Sequence, residues 1–235
     1  MTTNSISAFS SLVTNDQIQI LNRHIQQQQF AAAFDICADA IRANPSDWNA
    51  LYLAGITLRF RSDFAGAVTY YRRALQIAPN IAEIWLALGI ALQSLGQFPD
   101  AIHAFHTAVR LDPEHHSAHN SLGLTYVMAG DYVSAMHAYQ DALQVCANRA
   151  YNTVRSEHPE YFRIEQRGEE RVMVMHPAYQ EATRQILATD FSYYNTLRNM
   201  VSCCVEMGDH QRAAQLQAEV DTCTPIYPDL IGPMK

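Results

Sequence analysis

The residues with the most obvious capacity for chemistry lie in Glu114-His115-His116-Ser117-Ala118-His119. His115 and His119 are one helical turn apart, a spacing that lets two imidazoles hold one metal ion. A working site needs three or four converging ligands. Spacing brings no third ligand to this pair, so His115 and His119 stand as a bare metal candidate. Their plainer reading is as turn and surface histidines. His103, His106 and His137 are expected to face outward. Cys203-Cys204 invites a redox reading, but Cys204 falls where the surrounding pattern calls for an apolar residue, and a buried cysteine behaves as a small hydrophobe. No nucleophile is paired with a base, and no two carboxylates stand out from helix surfaces. Nine glycines without a Gly-rich loop leave no phosphate cradle. The expectation is a noncatalytic protein with no cofactor.

Composition narrows the partners. The chain has 235 residues, 49% hydrophobic and 17% charged, which suits a soluble folded or repeat protein. A net charge of -7 argues against nucleic acid and anionic membrane surfaces. No apolar run reaches the roughly 18 residues that a membrane span needs. The start, MTTNSISAFSSLV, has no cationic region and is not read as a secretory leader. Five cysteines, an odd number with no C-x-x-C pair, suggest a reducing compartment, read as the cytoplasm.

The elements that must position any site come from a 34-residue period. Trp85-x-x-Leu88-Gly89 recurs as Leu51-x-x-Ala54-Gly55 and as His119-x-x-Leu122-Gly123. Ala101, Phe105, Ala108 and Pro113 recur as Ala67, Tyr71, Ala74 and Pro79, and as Ala135, Tyr139, Ala142 and Ala147. Partial copies lie at 14–47 (Phe30, Ala33, Cys37, Ala40, Pro45) and at 194–227 (Met200, Gly208, Ala213, Pro225). An aromatic residue (Phe30, Phe64, Phe98, Tyr132) should open each second helix. Gly55, Gly89 and Gly123 should face Ala67, Ala101 and Ala135. Gly96, Gly130 and Gly208 suit left-handed helix ends. Pro45, Pro79 and Pro113 should close each copy.

This pattern resembles the tetratricopeptide repeat family. The resemblance implies an all-α fold: a right-handed superhelical array of antiparallel helix pairs. The expected layout is a capping segment over 1–13, repeats at 14–47, 48–81, 82–115 and 116–149, a degenerate repeat over 150–193, a last repeat at 194–227, and a tail over 228–235. Ile6, Phe9, Leu12 and Val13 would build the N-terminal cover. Ile226, Tyr227, Leu230 and Ile231 of the tail are candidates for covering the last pair.

One stretch breaks the helical pattern. PEYFRIEQRGEERVMVMHP, residues 159–177, alternates apolar and polar residues about Gly168. It predicts a short β-hairpin over 160–176, bracketed by Pro159 and Pro177. The expected register sets Phe162 against Val174, Ile164 against Val172, Arg163 against Met173 and Glu165 against Arg171, around a three-residue loop of Arg167-Gly168-Glu169. Tyr161, Arg163, Arg167, Met173 and Met175 are candidate partner contacts here; the alternative is an insertion that only packs on its neighbours.

In the family, the first helix of each repeat lines a concave groove for a peptide or helix. Carried over, that lining includes Asn49, Tyr52, Leu53, Ile56, Arg59 and Phe60, then Leu86, Ile90 and Gln93, then Asn120, Leu124 and Met128. It is mainly apolar and suits an amphipathic helix or an extended apolar peptide. One branch of the family grips a C-terminal carboxylate with Lys, Asn and Arg. Here those places read Ile18, Asn22, Leu53, Glu83 and Ala87, or one repeat later Tyr52, Ile56, Ala87, Ser117 and Ser121, so that clamp is absent. The function these features imply is an adaptor or scaffold that binds a protein partner. The alternatives are a homo-oligomeric scaffold and, less favoured, a histidine-dependent metal carrier or sensor.

Overall fold

The computed structural model describes residues 13–167 and 170–223. Residues 1–12, Gly168, Glu169 and the segment 224–235 lie outside the described residues, and with them Ile6, Phe9, Leu12, Ile226, Tyr227, Leu230 and Ile231. The fold is all-α, with a small two-stranded sheet. It divides into two compact units, residues 1–113 and 114–235.

The first unit holds three helix pairs: α1 (Asn15–Gln26) with α2 (Phe30–Ala43), α3 (Trp48–Phe60) with α4 (Phe64–Ile77), and α5 (Ala82–Ser94) with α6 (Phe98–Leu111). The first residues of α2, α4 and α6 are the expected aromatics. Pro45, Pro79 and Pro113 follow shortly after α2, α4 and α6. Thr14 caps α1 in a reciprocal box with Gln17, and Asp47 and Asp63 cap α3 and α4. Val13 is buried against Leu21, Ala33 and Cys37.

The packing between helices of a pair adds an aromatic ring to the close approach expected at these glycines. The nearest atoms to Gly55 and Gly89 belong to the rings of Tyr71 and Phe105. A Cβ on either glycine would stand 2.5 Å from a ring carbon. The missing side chain is therefore a seat for an aromatic ring on the partner helix. Ala67 and Ala101 of the partner helices are fully buried.

The left-handed helix ends appear as expected at Gly96 (φ 72°), Gly130 (81°) and Gly208 (75°). After α1 and α3 the same place is held by Gln28 (φ 58°) and Ser62 (φ 64°), at a cost that glycine avoids.

The second unit starts with α7 (His116–Met128) and α8 (Tyr132–Glu157). Gly123 again seats a ring, that of Tyr139, at 2.5 Å. Where the period places a boundary at 150, α8 continues unbroken through 26 residues. The sheet follows, with β1 (Phe162–Arg167) antiparallel to β2 (Glu170–Met175), and then α9 (Ala178–Thr189), α10 (Phe191–Glu206) and α11 (His210–Thr222). Met200, Cys203 and Cys204 of α10 share a buried cluster with Ala135, Met136 and Tyr139 of α8. Thus α10 docks directly on the helix pair that precedes the excursion.

The hairpin forms, but its register differs by one from the expected one. Phe162 pairs with Met175, Arg163 with Val174, Ile164 with Met173, Glu165 with Val172, and Arg167 with Glu170. The connection is then two residues, the length whose turns match strand twist. A one-residue slip moves side chains between faces. Phe162 and Ile164 therefore share a face with Met173 and Met175, and Glu165 forms an ion pair with Arg163 of its own strand at 2.6 Å.

Candidate partner-binding surfaces

In the first unit, the first-helix face is carried by α3 and α5. Asn49, Tyr52, Ile56 and Arg59 are half-buried and Phe60 is 50% exposed. Leu86, Ile90 and Gln93 on α5 are half-buried as well. Leu53 differs: it is buried and packs with Ala33 and Cys37 of α2. The Arg59 guanidinium lies 4.7 Å over the Phe60 ring, a cation–π contact at an exposed place. Tyr52 sits 5.9 Å, ring to ring, from Tyr71. Burial pushes the Tyr71 phenol up to about 12, partly offset by the charge of Arg59. Burial also raises Tyr52, with Glu83 adding to the rise.

A feature that the sequence did not signal lies on the same unit. A cleft of about 410 Å³ is lined by Arg72, Trp85, Asp100 and His103, among others. Trp85 donates its indole N–H to the Pro79 carbonyl at 2.7 Å, which holds the ring at the cleft wall.

In the second unit, Leu124 (41%) and Met128 (49%) are exposed on α7 as a groove lining would require. Asn120 is engaged within the chain instead. Its side-chain oxygen accepts from Asn199 Nδ2 at 3.1 Å and lies 3.4 Å from Thr196 Oγ1. Thr196 is fully buried and donates to the Ser192 carbonyl at 2.9 Å, so its oxygen is left to accept from His116 Nε2 at 3.0 Å. Burial holds His116 below the usual imidazole value, and nearby Arg149 adds to this. This polar joint of α7 and α10 was invisible in the sequence.

The metal candidates separate. His115 is the N-cap residue of α7, while His119 is buried, with Nδ1 4.0 Å from Asp141 Oδ2. Among the described residues, no three of His, Cys, Asp and Glu come together as metal ligands. All five cysteines are buried free thiols. Burial raises Cys37 to about 12 and Cys146 to about 11, and also raises Cys203 and Cys204, which disfavours the thiolate that redox chemistry needs.

At the base of the hairpin, Tyr161 stacks between His158 and His176, at 4.8 and 5.6 Å. Phe162 meets Tyr151 of α8 and Tyr179 of α9 edge-on, at 5.5 and 5.3 Å. On this strand face Ile164 (69%), Met173 (44%) and Met175 (48%) are exposed, and Arg163 is exposed on the other. The Arg167 side chain lies outside the described residues.

Repeated antiparallel helix pairs, three of which lock an aromatic ring onto a glycine, define a helical repeat protein. The Tetratricopeptide repeat family model matches residues 19–80 and 86–161, and the chain belongs to that family. Compared with curated protein sequences, the chain matches none. Among solved structures it is similar to MamA, at 15% identity and TM-score 0.61, over 86% of this chain and 92% of that one. A double mutant of MamA from strain RS-1 gives 20% identity and TM-score 0.61, over 87% and 90%. A Podospora anserina protein of nearly identical TPR-like repeats, described as a kinesin light chain, gives 14% and 0.60, over 88% and 93%. At these identities the likeness is one of fold. Among the described residues, no helix is long and apolar enough to cross a membrane.

Proposed function

We propose that this protein is a noncatalytic adaptor that holds a peptide or amphipathic helix of a partner protein against the first-helix face of its repeats. The observation that carries this reading is the row of Ile56, Phe60, Leu86 and Ile90 on α3 and α5, half-buried or exposed and apolar. Such a row matches the i, i+3, i+4 anchors of an amphipathic helix. Free, buried cysteines support a reducing compartment such as the cytoplasm.

The test is capture of partners from native lysate by three proteins of matched helicity: wild type, Ile56→Ser with Ile90→Ser, and a form with residues 161–175 replaced by a Gly-Ser linker. Loss of a partner from the Ser variant alone supports the first-helix face. Loss from the linker form alone transfers the role to the hairpin and refutes this reading.

A second reading is favoured by the exposed Ile164, Met173 and Met175 on one strand face, an unusual apolar surface for a lone hairpin. It makes the hairpin a contact between copies of the chain. Sedimentation across a hundredfold range of concentration decides it: a monomer throughout eliminates self-assembly.

A further inference from the structure

The ring of Tyr71 passes against Gly55 of α3, with Cε1, Cδ1 and Cζ at 2.5, 2.7 and 3.0 Å from where a Cβ would stand. This brings its hydroxyl end beside Tyr52 and Arg59, both on the first-helix face. The side chain is fully buried; the Arg59 guanidinium stands within reach of its oxygen, and no acceptor meets its hydroxyl hydrogen. Buried polar groups without partners are costly and rare. A guanidinium only donates, so whatever Arg59 does for the oxygen, the phenolic hydrogen has no acceptor.

Packing does not require that hydroxyl. One repeat later Phe105 fills the equivalent seat on Gly89, at 2.5, 2.7 and 2.8 Å, with no polar atom at all. The second repeat thus carries an unspent donor next to a cation on a face otherwise apolar.

We propose that Tyr71 and Arg59 form a subsite for a side-chain carboxylate of a bound partner segment, an inference that rests on the first-helix face being the binding surface. An arriving carboxylate takes the guanidinium from the Phe60 ring and accepts the phenolic hydrogen, giving two charge-assisted hydrogen bonds. Glu83 of α5, exposed and facing Tyr52, repels a generally acidic ligand. The fitting occupant is therefore a single Asp or Glu set in an apolar segment. This subsite uses neither the residues nor the positions of the family's C-terminal clamp, which is absent here.

The probe is an array of acetylated, amidated 12-residue apolar peptides, each made with Glu, Gln or Lys at one inner position. Affinities of binders are measured by fluorescence anisotropy on the full chain. The expected result is Glu over Gln by about tenfold and little binding of the Lys form. Tyr71→Phe should cut the Glu preference roughly threefold or more without lowering the melting temperature, since Phe105 shows that the seat accepts phenylalanine. Arg59→Gln should abolish the preference.

Equal affinity for Glu and Gln, or a preference untouched by Tyr71→Phe, overturns the subsite and leaves the binding face standing. Binding only of free-acid versions moves recognition to a chain terminus and also overturns it. Failure of every peptide, or binding indifferent to Ile56→Ser with Ile90→Ser, counts against the face itself and removes the subsite with it.

Discussion

Gly89→Ala sets two physical effects against each other. In a helix interior alanine is favoured over glycine by about 1 kcal/mol, so propensity alone makes the substitution stabilising. The structure reverses the sign. The new methyl would meet three ring carbons of Phe105 at 2.5, 2.7 and 2.8 Å. Carbon pairs prefer about 3.5–4.0 Å, so the contact needs roughly 1 Å of relief. Phe105 is fully buried, so relief is expected to come from α5 and α6 moving apart. Overpacking of this kind costs about 1–3 kcal/mol. Parting the helices also forfeits a quarter to a half of each affected van der Waals contact. The net expectation is destabilisation by about 1–2 kcal/mol, or a melting temperature lower by about 2–8 °C for a chain of this size. Urea and thermal unfolding followed by circular dichroism measure it. Phe105→Leu supplies the other side of a double-mutant cycle, and the pair should couple by about 1 kcal/mol or more. A Gly89→Ala protein as stable as wild type, or one whose loss simply adds to that of Phe105→Leu, would refute the claim that these glycines seat rings.

Further predictions rest on other named groups. Gly96→Ala has no atom within 4 Å of the new methyl but keeps a φ of 72°, so it should cost about 1 kcal/mol through backbone strain alone and be indifferent to Phe105→Leu in the same cycle. His116 is held neutral, so the unfolded chain takes up a proton first as pH falls. Stability is then steady above the ordinary imidazole value of 6.5 and declines below it, by at most about 1.4 kcal/mol per pH unit. Urea midpoints from pH 8 to 5 should show a shallower acid decline in His116→Gln than in wild type. Asp190 accepts from the N–H groups of Ser192 and Tyr193, at 2.7 and 3.2 Å, and lies 3.9 Å from Arg149. Asp190→Ala should cost about 1–2 kcal/mol in thermal unfolding, and Asp190→Asn, which keeps the cap, clearly less.

The parts of the fold legible in the sequence are those set by local chemistry repeated at a fixed interval. Phe30, Phe64, Phe98 and Tyr132 do open second helices, and Gly96, Gly130 and Gly208 do take positive φ. Gln28 and Ser62 escaped notice because neither side chain advertises the conformation it adopts. The extension of α8 to Glu157 followed from the absence of a breaker before Pro159, against which a lost period is a poor guide. Hairpin register was misread because alternation of period two fits either register, and the length of the turn decides. The proposed binding surface was legible only as a helix face. Which residues of that face are spent internally depends on distant partners: Asn120 is held by Asn199, 79 residues away. The ring seats of Tyr71 and Phe105 went unread because spacing identifies a close approach without saying which side chain fills it.

The docking of α10 on α8 has a kinetic consequence. In an array of this kind each added pair normally zips onto one just finished, so closure spans about one period and folding propagates along the chain. Here Cys203 reaches back to Tyr132 across 71 residues, with a helix extension and a hairpin to be organised on the way. Doubling a loop adds only about 0.6 kcal/mol of closure entropy, so the equilibrium hardly notices. The rate does, because that entropy must be lost before the contacts of Met200 and Cys204 repay it. The last pair should therefore be the slowest to join and, in native-state hydrogen exchange, the first to leave, opening as a unit while α7 and the first part of α8 stay closed.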